Sequence, residues 1–169
     1  MIILLNMYPL EKFRKTAQKN LSENENFCRK ITTLQIITPT QKSLFNDLVK
    51  KHWDGFDCTT CGNCCREISP FFTTSELKIL AKALDKDFNF VRKEYFKASA
   101  DREGFIPLLK PCPFFFNNRC TVYEYRPAGC KDFPHCNELL SYAMLHVEST
   151  LVCPVVFNII DSLRQKWPC

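Results

Sequence analysis

The part of this sequence best suited to chemistry is a run of four cysteines within eight residues, Cys58, Cys61, Cys64 and Cys65, in the pattern C-x-x-C-x-x-C-C. A spacing of three lets successive thiolates turn around one centre, and Gly62 allows the backbone to bend and offer N–H groups to sulfur. Three ligands from one short loop are typical of iron–sulfur sites, whereas structural zinc usually takes two cysteines from each of two loops. The loop therefore favours an iron–sulfur cluster, and a zinc ion is the alternative.

Further ligands are expected from other parts of the chain. Cys64 and Cys65 are sequence neighbours, so we expect their side chains to point apart and one of them to face a second centre or a remote ligand. An Asn-Asn turn at 117–118 predicts a β-hairpin, because Asn tolerates the positive φ of tight turns. This hairpin would bring Cys112 and Cys120 together. The remote candidates are Cys112, Cys120, Cys130, Cys136 and Cys153.

The cellular compartment of the protein determines whether these thiols stay reduced or form disulfides. The chain has eleven cysteines among 169 residues, and an odd number cannot pair completely within one chain. We find neither a secretory signal nor an apolar run of about 18 residues that would span a membrane. We therefore expect a cytoplasmic protein without membrane contact, whose thiols stay reduced and whose clustered cysteines bind metal. The G-x-G-x-x-G and P-loop motifs of the commonest nucleotide enzymes are missing from the sequence.

The basic charge is confined to the first third of the chain. Residues 1–53 carry nine Lys or Arg and four Asp or Glu, whereas residues 54–169 carry fourteen of each. We interpret residues 1–53 as a basic, mostly helical N-terminal extension, and residues 54–169 as the cysteine-cluster domain that binds metal. Blocks of charge usually form a solvated helix face, so nucleic-acid binding is not expected. A protein partner is left open.

Helix signals surround the cysteine loop. Capping boxes predict helices that begin after Thr38, with Gln41, and after Thr73, with Glu76, and Asp87 is expected to cap a shorter helix. A further helix is expected over about 138–148. Residues 107–134 contain five prolines and little helical pattern. The expected fold is mainly α, with a small β-hairpin and irregular cysteine-rich loops. We expect a compact single domain that bound metal holds together.

These motifs occur in an order that resembles a known family. After the C-x-x-C-x-x-C-C loop come the blocks C-P-F at 112–114, C-T-V-Y at 120–123, Y-R-P-A-G-C at 125–130 and F-P at 133–134. Over about residues 54–157 the chain is similar to the CxxCxxCC family of zinc- or iron-chelating proteins. It departs from the family pattern at Lys131, where arginine is usual, and at Val155, where glycine is common.

The resemblance implies a set of metal ligands. The implied ligands are Cys58, Cys61, Cys64, Cys65, Cys112, Cys120, Cys130 and Cys153. Eight cysteines would supply two four-thiolate sites, or one cluster and one zinc ion, while a single site with spare thiols is the other arrangement. Whether Cys136 is a ligand stays open. Arg126 is expected either to lie beside the ligands as a compensating cation or to pair with Glu124 or Asp132.

Three functions follow from these observations. The three-cysteine run favours an iron–sulfur protein with a redox or catalytic accessory role. Abundant cysteine without recognisable catalytic residues favours a structural zinc module for protein interaction. The resemblance extends distantly to flagellin lysine methylases, which implies protein-lysine methyl transfer as a further alternative. We assign no catalytic residue, and whether the chain is an enzyme is left open.

Overall fold

The computed structural model describes residues 10–34, 36–117, 119–134 and 143–167, and it confirms the predicted mainly helical class. No helix in these ranges combines the length and the apolar character that crossing a membrane requires. The helices are α1 (Leu10–Lys19), α2 (Leu21–Thr32), α3 (Pro39–Trp53), α4 (Cys58–Cys61), α5 (Asn63–Glu67), α6 (Thr74–Ala83), α7 (Phe88–Tyr95), α8 (Ala128–Lys131), α9 (Ala143–Thr150) and α10 (Pro154–Lys166), with a 3₁₀ turn at Tyr123–Tyr125. The strands are β1 (Phe96–Ala98), β2 (Phe105–Pro107), β3 (Phe115–Phe116) and β4 (Arg119–Cys120).

Local capping chemistry begins the helices where the sequence predicts. The Thr38 hydroxyl accepts a hydrogen bond from the backbone N–H of Gln41, and the Gln41 side chain accepts one from the backbone N–H of Thr38. Thr73 and Glu76 form the same box at the start of α6. The Asp87 carboxylate accepts two backbone N–H groups at the start of α7. The helix predicted over about 138–148 is described from residue 143 as α9, and residues 138–142 lie outside the described ranges.

Contacts between residues divide the chain into two compact units, one formed by residues 1–56 and 134–169 and the other by residues 57–133. In the first unit, Phe13 and Ala17 of α1 are buried against Phe157 of α10. The apolar stripe of α1 therefore shares a core with the C-terminal helices, since burial of that stripe is what stabilises an amphipathic helix. The boundary after residue 53 stays a prediction of where the metal-binding part begins.

The second unit has a helix-and-hairpin core that supports the cysteine loops. Leu77 and Leu80 of α6 are fully buried, together with Val91 of α7. The rings of Phe72 and Phe96 pack edge to face, with centroids 4.9 Å apart. The partly buried side chains packed against this core include Cys112 and Cys120. Two of the predicted ligands are therefore held by the core itself.

Two short antiparallel hairpins complete the described part of the second unit. In the first hairpin, Phe96 of β1 pairs with Pro107 of β2. In the second, Phe115 of β3 pairs with Cys120 of β4, which confirms the hairpin predicted around residues 117–118. Asn117 has φ 46°, the positive value expected for this turn. Asn118 lies outside the described residues.

Gly104 occupies a position that no other residue can fill without strain, and we predict that Gly104→Ala lowers the free energy of unfolding by at least about 2 kcal/mol. Its φ is +146°, and an added Cβ would lie 2.6 Å from the Phe72 carbonyl oxygen and 2.3 Å from the ring of Phe71. Denaturant unfolding of the purified variant measures the change. Gly129→Ala is the matched control, because a Cβ there meets nothing within 4 Å. Equal stabilities of the two variants would contradict this account.

Candidate metal centre

The C-x-x-C-x-x-C-C loop folds as two short helical turns joined at Gly62. The Asp57 carboxylate begins α4 by accepting the backbone N–H of Thr59 at 2.8 Å. Gly62 has φ 59°, in the left-handed region that favours glycine, and it ends α4 by donating its N–H to the Cys58 carbonyl at 3.2 Å. The bend predicted at Gly62 is therefore confirmed, and it connects the cysteines of α4 to those of α5.

The segment around the second hairpin lies directly against this loop. The backbone N–H of Cys112 donates to the carbonyl of Cys65 at 2.9 Å. Helix α4 contacts strand β4, which ends at Cys120. Arg66 joins the same two segments, because its guanidinium donates to the Cys61 carbonyl at 3.2 Å and lies 4.8 Å from the centre of the Phe115 ring. Residues almost fifty positions apart are thereby held beside each other.

Cys130 comes from a third segment, the short helix α8. Its backbone N–H donates to the Pro127 carbonyl at 2.9 Å, which closes the first turn. The turn begins at Ala128, whose N–H donates to the Glu76 carboxylate at 2.7 Å. Glu76 belongs to α6, so the turn that carries Cys130 is tied to a helix of the core.

Cys64 and Cys65 are adjacent residues of α5, and their thiols shift each other's pKa values. A helical turn places adjacent side chains about 100° apart, and the expectation that these two point apart stays a prediction. The Cys65 thiol lowers the pKa of Cys64, and backbone N–H groups and the charge of Arg126 act in the same direction against the effect of burial. The pKa of Cys65 is raised in turn, by the Cys64 thiol first and then by burial. One thiolate in this pair therefore disfavours a second one beside it.

The negative charge of Cys64 raises the pKa of thiols on all three segments. Except at Cys65, burial is the main cause of their raised pKa values, which reach about 11 for Cys58 and about 12 for Cys130. The charge of Cys64 raises these values further. The affected thiols lie on the cysteine loop, in the segment of the second hairpin and on α8. They are Cys58, Cys61, Cys65, Cys112, Cys120 and Cys130.

Three of these thiols also accept a backbone N–H from the residue two positions later. The donors are Asn63 for Cys61, Phe114 for Cys112 and Val122 for Cys120. Each hydrogen bond lowers the pKa of its thiol and so favours the thiolate, although burial raises that pKa more. Thiolates oriented in this way are ligands that zinc and iron–sulfur clusters both take. The donor set therefore fits either metal.

The thiols have the chemistry of metal ligands, but they are not arranged as a coordination shell. Within the ranges that the structure describes, no three Cys, His, Asp or Glu side chains are arranged so that they could hold a metal ion. The seven cysteines described within residues 57–133 are free thiols. The segments that carry the thiols are neighbours, but in these ranges the thiols form no coordination shell, and metal binding requires them to approach one ion to the roughly 2.3 Å sulfur distance of zinc.

Arg126 supplies positive charge to this region. Its guanidinium lies 3.4 Å from the centre of the Tyr123 ring, and its Nε donates to the Tyr123 carbonyl at 2.8 Å. This placement supports the interpretation of Arg126 as a compensating cation beside the ligands. Its charge lowers the pKa of the thiols of Cys58, Cys64, Cys120 and Cys130.

The remaining cysteines belong to the first unit. Cys153 is buried in the first unit, where it precedes the first residue of α10, and its ligand role stays a prediction. Cys28 is buried in α2, and burial raises its pKa to about 12. Cys136 and Cys169 lie outside the described residues.

Comparison with known proteins adds one match. Neither a curated protein nor a solved structure matches the chain. The sequence pattern of the CxxCxxCC family, described as "Putative zinc- or iron-chelating domain", matches residues 57–153, which is more than half of the chain. The matched range covers the loop, the second hairpin and α8, and it ends at Cys153. The chain therefore belongs to the CxxCxxCC family of metal-chelating domains.

Proposed function

We propose that this chain is a metal-binding protein of the cytoplasm that holds an iron–sulfur cluster or zinc through its clustered cysteines. The observation that carries the proposal is that the cysteine loop lies against the segment of the second hairpin, where the Cys112 N–H donates to the Cys65 carbonyl at 2.9 Å and α4 contacts β4. The ligands are drawn from Cys58, Cys61, Cys64, Cys65, Cys112, Cys120 and Cys130. The family resemblance adds Cys153 as an eighth candidate.

An iron–sulfur cluster with a redox or catalytic accessory role is the first form of the proposal. Cys58, Cys61 and Cys64 lie on one loop that turns at Gly62, and such runs typically bind clusters. Backbone N–H groups and Arg126 would offset the negative charge of the thiolates. Hydrogen bonds and charge of this kind set the reduction potential of a cluster.

A structural zinc site serving protein interaction is the second form, and one contact favours it. Helix α4 begins and ends with a cysteine and packs against β4, which ends at Cys120. Together with Cys112, this supplies two cysteines from each of two neighbouring loops, the arrangement typical of structural zinc. Protein-lysine methyl transfer, by contrast, is supported only by the distant resemblance to flagellin lysine methylases.

Metal analysis of the protein purified without oxygen tests the proposal and separates its two forms. Brown protein with iron and acid-labile sulfide supports the cluster and excludes a purely zinc-based role. Colourless protein with stoichiometric zinc supports the structural zinc site. Metal-free protein that takes up neither zinc nor iron and sulfide on reconstitution overturns the proposal. The matched control is Cys28→Ala, which removes a buried thiol of the first unit and is expected to leave the metal content unchanged.

A further inference from the structure

The Glu76 carboxylate uses its two oxygen atoms on two different parts of the chain. Oε2 accepts hydrogen bonds from the backbone N–H and the hydroxyl of Thr73, each at 2.8 Å, and so completes the cap of α6. Oε1 accepts the backbone N–H of Ala128 at 2.7 Å, across 52 residues of sequence. Only the first of these contacts follows from the capping-box pattern. The second connects α6 to the start of α8.

This connection matters because α8 is too short to hold itself in place. It has four residues, Ala128–Lys131, and a helix of one turn is not stable by itself in water. Cys130 lies two residues after the hydrogen-bonded Ala128. Helix α6, in contrast, is anchored by Leu77 and Leu80, which are fully buried in the core. The position of Cys130 therefore depends on a turn that Glu76 attaches to an anchored helix.

We propose that Glu76 is a positioning residue of the metal site, which holds the α8 turn so that the Cys130 thiol faces the other ligands. The inference rests on the proposed function, because it assigns Cys130 to the metal. The positive charge of Lys131, at the end of the same turn, acts on the carboxylate as well. Glu76 does not contact the metal in this proposal; it acts through the backbone of the turn that carries the ligand.

Comparison of Glu76→Ala with Thr73→Ala separates this role from simple capping. Thr73→Ala removes the hydroxyl of the α6 cap but leaves the Ala128 contact, whereas Glu76→Ala removes both. In metal-free protein, alkylation of each cysteine is followed by peptide mass spectrometry, with the rate at Cys112, which packs against the core, as the internal reference. We expect Glu76→Ala to increase the alkylation rate of Cys130 about tenfold relative to that of Cys112. Losing a hydrogen bond to a charged acceptor raises the population of the open turn by about this factor. Thr73→Ala should leave this ratio at the wild-type value.

A second variant keeps the test decisive if Glu76→Ala folds poorly. Glu76→Gln retains one oxygen as an acceptor, so its Cys130-to-Cys112 ratio should lie between those of the wild type and Glu76→Ala. The same ratio in Glu76→Ala and Thr73→Ala, or in Glu76→Gln and Glu76→Ala, would overturn the inference. After metal loading, Glu76→Ala should lose metal to a chelator faster than Thr73→Ala. The alkylation experiment is done without metal, so it tests the positioning of the turn separately from the proposed function. A wild-type protein that binds no metal would refute the proposed function alone.

Discussion

Cys64→Ser is expected to abolish stoichiometric metal binding. Cys64 lies on α5 next to Cys65, whose carbonyl accepts the Cys112 N–H at 2.9 Å, and the neighbouring thiol lowers the pKa of Cys64. A serine hydroxyl stays protonated at neutral pH and is a poor ligand for zinc or iron. Because changes beside a ligand already cost 10- to 100-fold in affinity, we expect the loss of this ligand to exceed about 100-fold.

Elemental analysis after purification and chelator competition measure this loss. Cys28→Ala is the control for removing a thiol, since Cys28 is fully buried in α2 and belongs to the other unit. Circular dichroism of Cys64→Ser should retain the helical signal of the wild type, because α6 and α7 are stabilised by their own core. Wild-type metal content in Cys64→Ser would remove Cys64 from the ligand set.

Metal addition to the metal-free protein is expected to stabilise residues 57–133 strongly, by about 4 kcal/mol when free metal exceeds its dissociation constant a thousandfold. The proposed ligands come from three segments of this unit, and one metal site would close the chain between them. Without metal, the thiols raise one another's pKa values by mutual repulsion, as Cys64 does for Cys58 and Cys61. A metal ion replaces this repulsion with attraction.

Hydrogen exchange with and without metal locates the stabilisation. Protection should increase at backbone amides of the loop and the second hairpin, including the N–H of Cys112 that bonds to Cys65. Cys64→Ser serves as the matched variant and should show little gain from added metal. An equal gain in wild type and Cys64→Ser would mean that metal binds elsewhere, which contradicts the predicted site.

The features that could be predicted from sequence are those determined within a few residues. The caps of α3 and α6 lie where Thr38 and Thr73 predict them, because a capping box is formed by side chains and backbone three residues apart. The turn at Gly62 follows from the freedom of glycine at positive φ. For the same reason the position of the second hairpin was predictable, since its turn chemistry is local.

The helix α5 shows where such local reasoning fails. The sequence predicts an irregular cysteine-rich loop at Asn63–Glu67, but this segment forms a helical turn. The length of α5 is only five residues, and no periodic pattern in the sequence marks it. Its conformation depends on neighbours such as the Cys112 N–H, which bonds to the Cys65 carbonyl.

By itself, the sequence determined the mainly helical class, the helix starts, the turn at Gly62 and the cysteine pattern that identifies the family, because each depends on local chemistry or on residue order. Only the tertiary structure decided which segments meet. The stripe of Phe13 and Ala17 predicts a buried face but does not specify that Phe157 covers it. Likewise, the capping box predicts one partner of Glu76 and not Ala128, 52 residues away. Contacts between distant segments depend on how the whole core packs, and no short stretch of sequence contains that information.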